Sequence, residues 1–276
     1  GADLRLAAVD MDGTLLDDDK NFPPGMEELL DLMDERGVTF APASGRQVWT
    51  LIDMFPGRLG MTVIGENGGI VMRDGVEVSS SPVDAPTVRE VIRLVRDATS
   101  GPDGIDGGLV MCGKQFAYVE RTDDRFVEGV MPYYHRTKRV EDQSAIIDAI
   151  EAGEIDDAIV KLAVYVIGPV EPLAQATLAN FADTHQYAIS GANWADLQIR
   201  GVDKGSAVRD LQRFLGIERS QTAVFGDAGN DLSMMSEGDL SFAMANASAD
   251  VVEAARFVAP SNNEAGVAQV LRALLG

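Results

Sequence analysis

Short apolar runs alternate with amphipathic segments over the first third of this 276-residue chain. Residues 6–9 are predicted to form a buried strand, residues 26–36 a helix with one apolar face, and residues 38–41 a second strand. A helix over 47–55 and a strand over 61–64 follow. This order of strands and helices predicts a parallel sheet with right-handed crossovers, and therefore an α/β fold.

The pattern changes after residue 70, where two apolar runs flank the hairpin signal Asp74-Gly75. Hairpins and helices then follow in mixed order, including a helix predicted over residues 173–183, and the strand–helix alternation resumes near Trp194. We therefore predict a discontinuous, Rossmann-like core over residues 1–80 and 191–276, with an inserted α+β unit over residues 81–190.

The chain is strongly acidic, with a formal net charge of -21. This charge disfavours nucleic acid and anionic membranes as partners, and any anion site must carry its own local cations. The single cysteine, Cys112, excludes an intramolecular disulfide, fits a reducing compartment and is expected to be a small buried hydrophobe. With no apolar run long enough to span a bilayer and no signal-peptide pattern, the sequence predicts a soluble, cytoplasmic protein.

Two acidic residues, Asp10 and Asp12, stand where the first predicted strand ends. Side chains two positions apart on an extended chain point the same way, and ligands bind at the carboxyl ends of strands in open α/β sheets. One aspartate could simply cap the turn at Gly13. Two carboxylates on one face repel each other, however, and a hard cation such as Mg²⁺ would compensate for that repulsion.

A second acidic pair, Asp227 and Asp231, follows the apolar strand predicted over residues 222–225. We expect Asp227 to share the cation with Asp10, because both residues end strands of the same predicted sheet. Asp231 precedes a predicted helix, where capping of the helix N-terminus is an alternative role that we accept in part.

Two further polar groups stand at predicted helix starts. Ser44 and Gly45 follow the second strand, where a hydroxyl and backbone N–H groups would favour an anion, although Ser44 could also be only an N-cap. Lys204 precedes a helix predicted over residues 205–215, where a cation opposes the helix macrodipole. Contact with a phosphate would explain Lys204, and a solvated surface lysine is the alternative.

Taken in order, these residues resemble the four motifs of the haloacid dehalogenase-like superfamily: Asp10-Met11-Asp12-Gly13-Thr14, Ser44, Lys204, and Gly226-Asp227 with Asn230-Asp231. The insert between the second and third motifs resembles the C2-type cap of the Cof-type phosphatases. Glu66-Asn67-Gly68-Gly69 and the run over residues 196–205 are also similar to those proteins. Asp196 departs from the Glu that the family often has, at the expected junction of cap and core.

The resemblance implies a magnesium-dependent phosphatase that hydrolyses small phosphorylated metabolites, such as sugar phosphates, through an aspartyl-phosphate. Asp10 would be the nucleophile, and Asp12 the general acid and base. Mg²⁺ would bind the Asp10 carboxylate, the Asp12 backbone carbonyl and Asp227, with Asp231 as a further ligand or beside one. The phosphoryl oxygens would be held by Ser44, the backbone N–H of Gly45, Lys204 and Asn230.

Three alternative functions can be weighed against these motifs. A phosphomutase would return the phosphoryl group to a sugar. A phospho-accepting signalling domain lacks an acid at the position of Asp12 and has no large cap, and a non-catalytic relative would be expected to lose motif residues. Arg46 is a possible substrate contact, and an ion pair with an acidic residue is the alternative. Further candidate substrate contacts lie in the insert: Tyr133, Tyr134, His135 and Lys161. The alternative is that the tyrosines pack inside the protein and the lysine is solvated.

Overall fold

The computed structural model describes residues 3–58 and 60–276, and the chain forms two compact units. The first unit comprises the residues up to Gly45, Met54–Ser79 and Asp203–Gly276. The second comprises Arg46–Asp53 and Ser80–Val202. Within the described part of the chain, no helix combines the length and the apolar character needed to cross a membrane.

The strands, in chain order, are β1 (Leu6–Asp10), β2 (Thr39–Ala43), β3 (Thr62–Gly65), β4 (Ile70–Arg73), β5 (Val76–Ser80), β6 (Gly107–Gly113), β7 (Ala117–Val119), β8 (Thr137–Arg139), β9 (Ile159–Val166), β10 (His185–Gly191), β11 (Trp194–Ile199), β12 (Thr222–Gly226), β13 (Leu240–Met244) and β14 (Phe257–Ala259). The α-helices are α1 (Met26–Glu35), α2 (Val48–Asp53), α3 (Ala85–Thr99), α4 (Asp124–Val130), α5 (Gln143–Glu151), α6 (Glu171–Ala176), α7 (Lys204–Leu215), α8 (Leu232–Met235), α9 (Ala249–Ala254) and α10 (Gly266–Leu275).

The first unit is built on an eight-stranded sheet in the order β14-β13-β12-β1-β2-β3-β4-β5. The strands from β14 to β3 pair in parallel, and β4 turns back antiparallel to β3. Every residue of β1 is buried, as expected for a central strand of a parallel sheet that is covered on both faces. The predicted α/β fold with a Rossmann-like core is confirmed, and the carboxyl ends of β1, β2 and β12 lie at one edge.

Helix α7 positions Lys204, which is its first residue. Its apolar face packs into the core of the first unit, with Ala207, Val208 and Leu211 buried against sheet residues such as Val224. The Asp203 carboxylate caps the helix by accepting the backbone N–H of Ser206 at 2.7 Å. Burial and capping together fix the start of α7 relative to the sheet.

The second unit contains a six-stranded sheet in the order β10-β11-β9-β6-β7-β8, which is antiparallel apart from the β7–β8 pair. Helices α3, α5 and α6 contribute apolar residues to the core on this sheet, among them Val91, Ile147 and Leu173. Mixed hairpins and helices make this an α+β unit, as the sequence predicts.

The second boundary of the predicted insert differs in the structure, which returns to the first unit at Asp203 rather than at residue 191. Strand β11 pairs antiparallel with both β9 and β10, so its apolar residues belong to the core of the second unit. Its residue Asp196 is therefore a strand residue of the second sheet, and the junction with the first unit follows Val202.

Two other predicted elements also differ. Helix α2 belongs to the second unit, because Gln47 and Thr50 bond to the segment from Tyr133 to Arg136. The helix predicted over residues 173–183 ends at Ala176 and is followed by a 3-10 turn, Leu178–Phe181.

Candidate active site

A buried lysine lies between two aspartates of the first unit. Asp10 is the last residue of β1 and is 5% exposed, while Lys204 is the first residue of α7 and is fully buried. Lys204 Nζ donates to Asp10 Oδ1 at 2.5 Å and to Asp231 Oδ1 at 2.7 Å. The solvated-lysine alternative is therefore wrong, since a buried ammonium requires charged partners of this kind.

The second carboxylate oxygen of Asp231 shapes the loop after β12. Asp231 Oδ2 accepts the backbone N–H groups of Asp227 and Ala228 at 3.0 and 3.1 Å. A Cβ on Gly226 would lie 2.4 Å from the Cβ of Asp231, so a glycine is needed where the strand ends. The Asp231 side chain makes no capping hydrogen bond to α8, so the capping role suggested in part by the sequence is wrong for that helix. Its oxygens bond instead to this loop and to Lys204.

Three carboxylates converge at this edge of the sheet. Asp10, Asp227 and Asp231 each offer an oxygen within 4.8 Å of the others. Burial, reinforced by the charge of Asp231, raises the pKa of Asp10 to about 8, even though Lys204 opposes the shift. Burial and Asp231 also raise the pKa of Asp227. Because one ammonium faces three carboxylates, two negative charges are uncompensated when all are ionised, and a divalent cation would balance them.

The same carboxylates stabilise the charged form of Lys204. Burial by itself would lower the pKa of Lys204, but the charges and hydrogen bonds of Asp10 and Asp231 raise it above its usual value. The lysine is therefore a fixed positive charge at any physiological pH.

Asp12 does not share the strand of Asp10. Strand β1 ends at Asp10, and the chain turns at once, with the N–H groups of Leu15 and Leu16 bonded to the carbonyl of Met11. The premise that both aspartates lie on one extended strand is therefore wrong. The Asp12 side chain is 33% exposed and pairs with Lys20 Nζ at 3.0 Å.

The turn after Asp12 needs glycine and holds Asp227. Gly13 has a φ of 84°, and a Cβ there would lie 2.4 Å from Asp227 Oδ2. Thr14 Oγ1 donates to Asp227 Oδ1 at 3.0 Å. The sequence gives Thr14 a place in the first motif but no contact, and this hydrogen bond links the first motif to the fourth.

Ser44 and Gly45 follow β2 at a bend of the chain rather than at a helix start. The Ser44 N–H donates to the carbonyl of Ile64 at 2.9 Å, and α2 begins only at Val48. Ser44 is therefore not an N-cap, and the expected helix N-terminus at this position is wrong. Ser44 is 3% exposed.

Asn67 links Gly45 to Asn230, a contact that the sequence does not indicate. The Asn67 N–H donates to the Ser44 carbonyl at 2.9 Å, and its side-chain Oδ1 accepts from Asn230 Nδ2 at 3.3 Å. A Cβ on Gly45 would lie 3.2 Å from the Asn67 carboxamide. The left-handed conformation of Asn67, with φ 51° and ψ 35°, is the one that its Asn-Gly sequence favours. Three of the residues expected at a phosphate, Ser44, Gly45 and Asn230, therefore meet at Asn67.

Arg46 and the candidate tyrosines belong to the second unit. Arg46 Nη1 donates to the carbonyl of Pro132 at 3.2 Å, and the guanidinium lies 5.0 Å from the centre of the Tyr133 ring. Tyr133 also packs against Trp194, with ring centres 5.7 Å apart. Tyr134 is buried, and the buried Cys112 thiol donates to its hydroxyl at 3.5 Å, so this tyrosine packs as the alternative interpretation expects.

The two remaining candidates of the second unit also have defined surroundings. His135 Nδ1 lies 2.9 Å from Asp53 Oδ2. Lys161 is 1% exposed, and its Nζ lies 5.5 Å from the centre of the Tyr134 ring. Lys161 is therefore not the solvated lysine of the alternative interpretation.

Comparison with known proteins shows the family of this chain. The sequence profile of the haloacid dehalogenase-like hydrolases matches residues 7–271. A curated relative, the 5-amino-6-(5-phospho-D-ribitylamino)uracil phosphatase YbjI of Escherichia coli (strain K12), is 32% identical over 280 residues, which cover 99% of this chain and 96% of the relative. The HMP-PP phosphatase of Yersinia enterocolitica is 24% identical and is matched over 88% of this chain and 84% of its own length.

Solved structures share the fold. A haloacid dehalogenase-like hydrolase from Bacteroides thetaiotaomicron superimposes with a TM-score of 0.82 at 20% identity, covering 98% of this chain and 99% of its own. One from B. subtilis gives a TM-score of 0.80 at 20% identity, covering 98% and 100%. The predicted enzyme class, a phosphoric monoester hydrolase, is confirmed by relatives named as phosphatases. Because the family profile spans nearly the whole sequence, this chain belongs to the haloacid dehalogenase-like hydrolases, in the Cof-type group that its motifs predict.

Proposed function

We propose that this protein is a Mg²⁺-dependent phosphatase that hydrolyses small phosphorylated metabolites through an aspartyl-phosphate on Asp10. The observation that carries the proposal is the buried contact of Lys204 with Asp10 and Asp231, beside Asp227. A reactive carboxylate at a strand end, one fixed cation and an excess of buried negative charge suit the transfer of a phosphoryl group.

The donor set fits Mg²⁺. Hard cations prefer carboxylate and carbonyl oxygens. Burial and the neighbouring charge of Asp231 raise the pKa values of Asp10 and Asp227, and a cation beside them would favour their ionised forms. Mg²⁺ would be held by Asp10, Asp227 and the backbone carbonyl of Asp12, with Asp231 as a further ligand or beside one. When bound, it supplies positive charge that offsets the repulsion between the Asp10 carboxylate and the phosphoryl oxygens.

Asp10 attacks the phosphorus atom in the first step. A carboxylate oxygen of Asp10 forms the new bond to phosphorus while the bond to the leaving oxygen breaks, which divides one difficult hydrolysis into two easier steps. Lys204 orients this carboxylate through Oδ1 and favours its ionised form. In the second step, water attacks the same phosphorus, inorganic phosphate leaves and the Asp10 carboxylate is regenerated.

Asp12 moves the protons of both steps. Its carboxyl group donates a proton to the leaving oxygen in the first step and takes one from the attacking water in the second. The half-buried position of this side chain, 33% exposed, suits a group that must meet both a substrate oxygen and water. Such acid–base assistance is typically worth about 10² to 10⁴-fold in rate.

The phosphoryl oxygens are assigned to Lys204 and to Ser44, Gly45 and Asn230, whose meeting at Asn67 supports a common subsite. Beyond the phosphate, we assign substrate selection to the second unit as the cap, with Arg46 as a possible contact. The relative from Escherichia coli is named for a ribityl phosphate ester, so that class of phosphomonoester is the first to test, followed by sugar phosphates.

The test is a panel of phosphomonoesters, with release of inorganic phosphate measured with and without Mg²⁺. Wild type should release phosphate only with Mg²⁺, and Asp10→Asn should stay at background. The matched control is Asp157→Asn, because Asp157 is a buried aspartate of the second unit that accepts from Gln115 N, Phe116 N and Tyr118 Oη. That variant should keep its activity. Conversion of a sugar phosphate to an isomer without phosphate release would instead identify a phosphomutase.

A further inference from the structure

The side chains of two asparagines, Asn246 and Asn262, donate hydrogen bonds to the backbone of the turn that contains Asp12. Asn246 lies in the loop after β13, and its Nδ2 donates to the backbone carbonyl of Gly13 at 2.8 Å. Asn246 Oδ1 accepts the backbone N–H of Asn262 at 3.0 Å. Asn262 Nδ2 in turn donates to the carbonyl of Leu16 at 3.0 Å. The two side chains therefore bond to both ends of the segment from Gly13 to Leu16.

The same loop also contacts the backbone of a proposed metal ligand. The N–H of Ser248, two residues after Asn246, donates to the carbonyl of Asp227 at 2.9 Å. Strand β13 pairs with β12 up to Gly226 and Ala243, so this loop begins beside the fourth motif. The loop from Ala245 to Ser248 is thus bonded to the residue after Asp12 and to Asp227.

Gly13 makes such an anchor necessary. A glycine with φ 84° has more conformational freedom than any other residue, and it directly follows Asp12. A hydrogen bond to its carbonyl restricts the peptide plane on the far side of Gly13 and so limits how the turn can rotate. Asn246 is itself exposed, yet both ends of its amide bond to backbone groups.

We propose that Asn246 is a positioning residue for the reaction, which holds the Gly13 carbonyl so that the Asp12 carboxyl group stays in place for proton transfer. This inference rests on the proposed role of Asp12. Asn246 does not react. Its loss should act through the Asp12 carboxyl group, because small misplacements of a catalytic group cost up to about 10²-fold in rate.

The experiment is a double-mutant cycle on the full chain with Mg²⁺ and an unactivated alkyl phosphate. Asn246→Ala should lower kcat by about 10 to 100-fold with little change in KM, and should raise the fraction of phosphorylated enzyme with nitrophenyl phosphate. Asn246→Asp keeps the acceptor for Asn262 but cannot donate to Gly13, so it should be at least as slow. In the Asp12→Ala background, Asn246→Ala should have no further effect.

The matched control is Asn193→Ala, because Asn193 Nδ2 also donates to two backbone carbonyls, those of Val166 and Gly168, but in the second unit. It should leave kcat on the alkyl phosphate unchanged. The inference is overturned if Asn246→Ala retains wild-type kcat, if it changes only KM, or if its loss multiplies with that of Asp12→Ala. If Asp12→Ala itself retains full activity, the proposed function fails instead.

Discussion

Asp10→Asn should make the metal-free protein more stable, by an amount that grows with pH. Burial and the charge of Asp231 raise the pKa of Asp10 from 3.8 to about 8. Between these two values the folded state binds a proton that the unfolded chain has released, so the free energy of unfolding falls as pH rises. Asparagine does not titrate, and the variant therefore escapes this loss.

The size of this stability difference follows from the pKa shift of Asp10. Each pH unit within the window costs the wild type about 1.4 kcal/mol, so the advantage of Asp10→Asn should grow by up to about 4 kcal/mol from about pH 5 to about pH 8. Lys204 stays protonated in both states over this range, because its folded pKa lies above its usual value. Over most of this range Asp10 is protonated in the folded wild type, so Lys204 has a neutral partner at position 10 in both proteins.

The assay is urea unfolding in chelator at several pH values, followed by circular dichroism. Both tryptophans, Trp49 and Trp194, lie in the second unit, so their fluorescence reports on that unit separately. Asp157→Asn is the control for loss of a buried carboxylate elsewhere. A stability difference between wild type and Asp10→Asn that is constant from about pH 5 to about pH 8, or that falls with pH, would refute the electrostatic account.

Three further outcomes follow from the same site. Phosphatase activity should vanish with chelator, return with Mg²⁺ and return only weakly with Ca²⁺, whose larger and looser coordination would misplace Asp10; full activity in chelator would contradict the metal assignment. Asp12→Ala should lose about 10² to 10⁴-fold in turnover of an alkyl phosphate. With nitrophenyl phosphate it should accumulate phosphorylated enzyme, detected by intact-protein mass spectrometry after an acid quench. Wild-type turnover would remove Asp12 from the mechanism. Lys204→Met should abolish activity and lower the free energy of unfolding by about 3 to 5 kcal/mol in urea titrations, because it leaves Asp10 and Asp231 buried without their cation. A stable, active variant would contradict the role of the lysine.

The sequence predicted the central sheet and its acidic edge because both depend on local pattern. The apolar run before Asp10 and the one before Asp227 read as buried strands, and parallel strands bring their carboxyl ends together. The orientation of Asp12 could not be predicted in this way. It depends on a turn that begins at Met11, two residues before the turn at Gly13 that the sequence suggests.

Contacts between distant residues were beyond the sequence pattern. Lys204 bonds to Asp10, which lies 194 positions earlier in the sequence. From the sequence alone, a solvated lysine is an equally good interpretation. Strand β11 has apolar residues that would suit either sheet, and only its pairing with β9 and β10 assigns it to the second unit. Asn246 stands in no motif, and its significance comes from one hydrogen bond to Gly13.

The most direct test of the central claim is to trap the covalent intermediate. Asp12→Ala, mixed with Mg²⁺ and nitrophenyl phosphate, is quenched and treated with borohydride, which reduces an acyl phosphate to an alcohol and leaves a free carboxylate intact. Peptide mapping should then find homoserine at position 10 and unchanged aspartate at positions 227 and 231. Unmodified Asp10 in a variant that still releases nitrophenol, or reduction at a different aspartate, would contradict the assignment of Asp10 as the nucleophile.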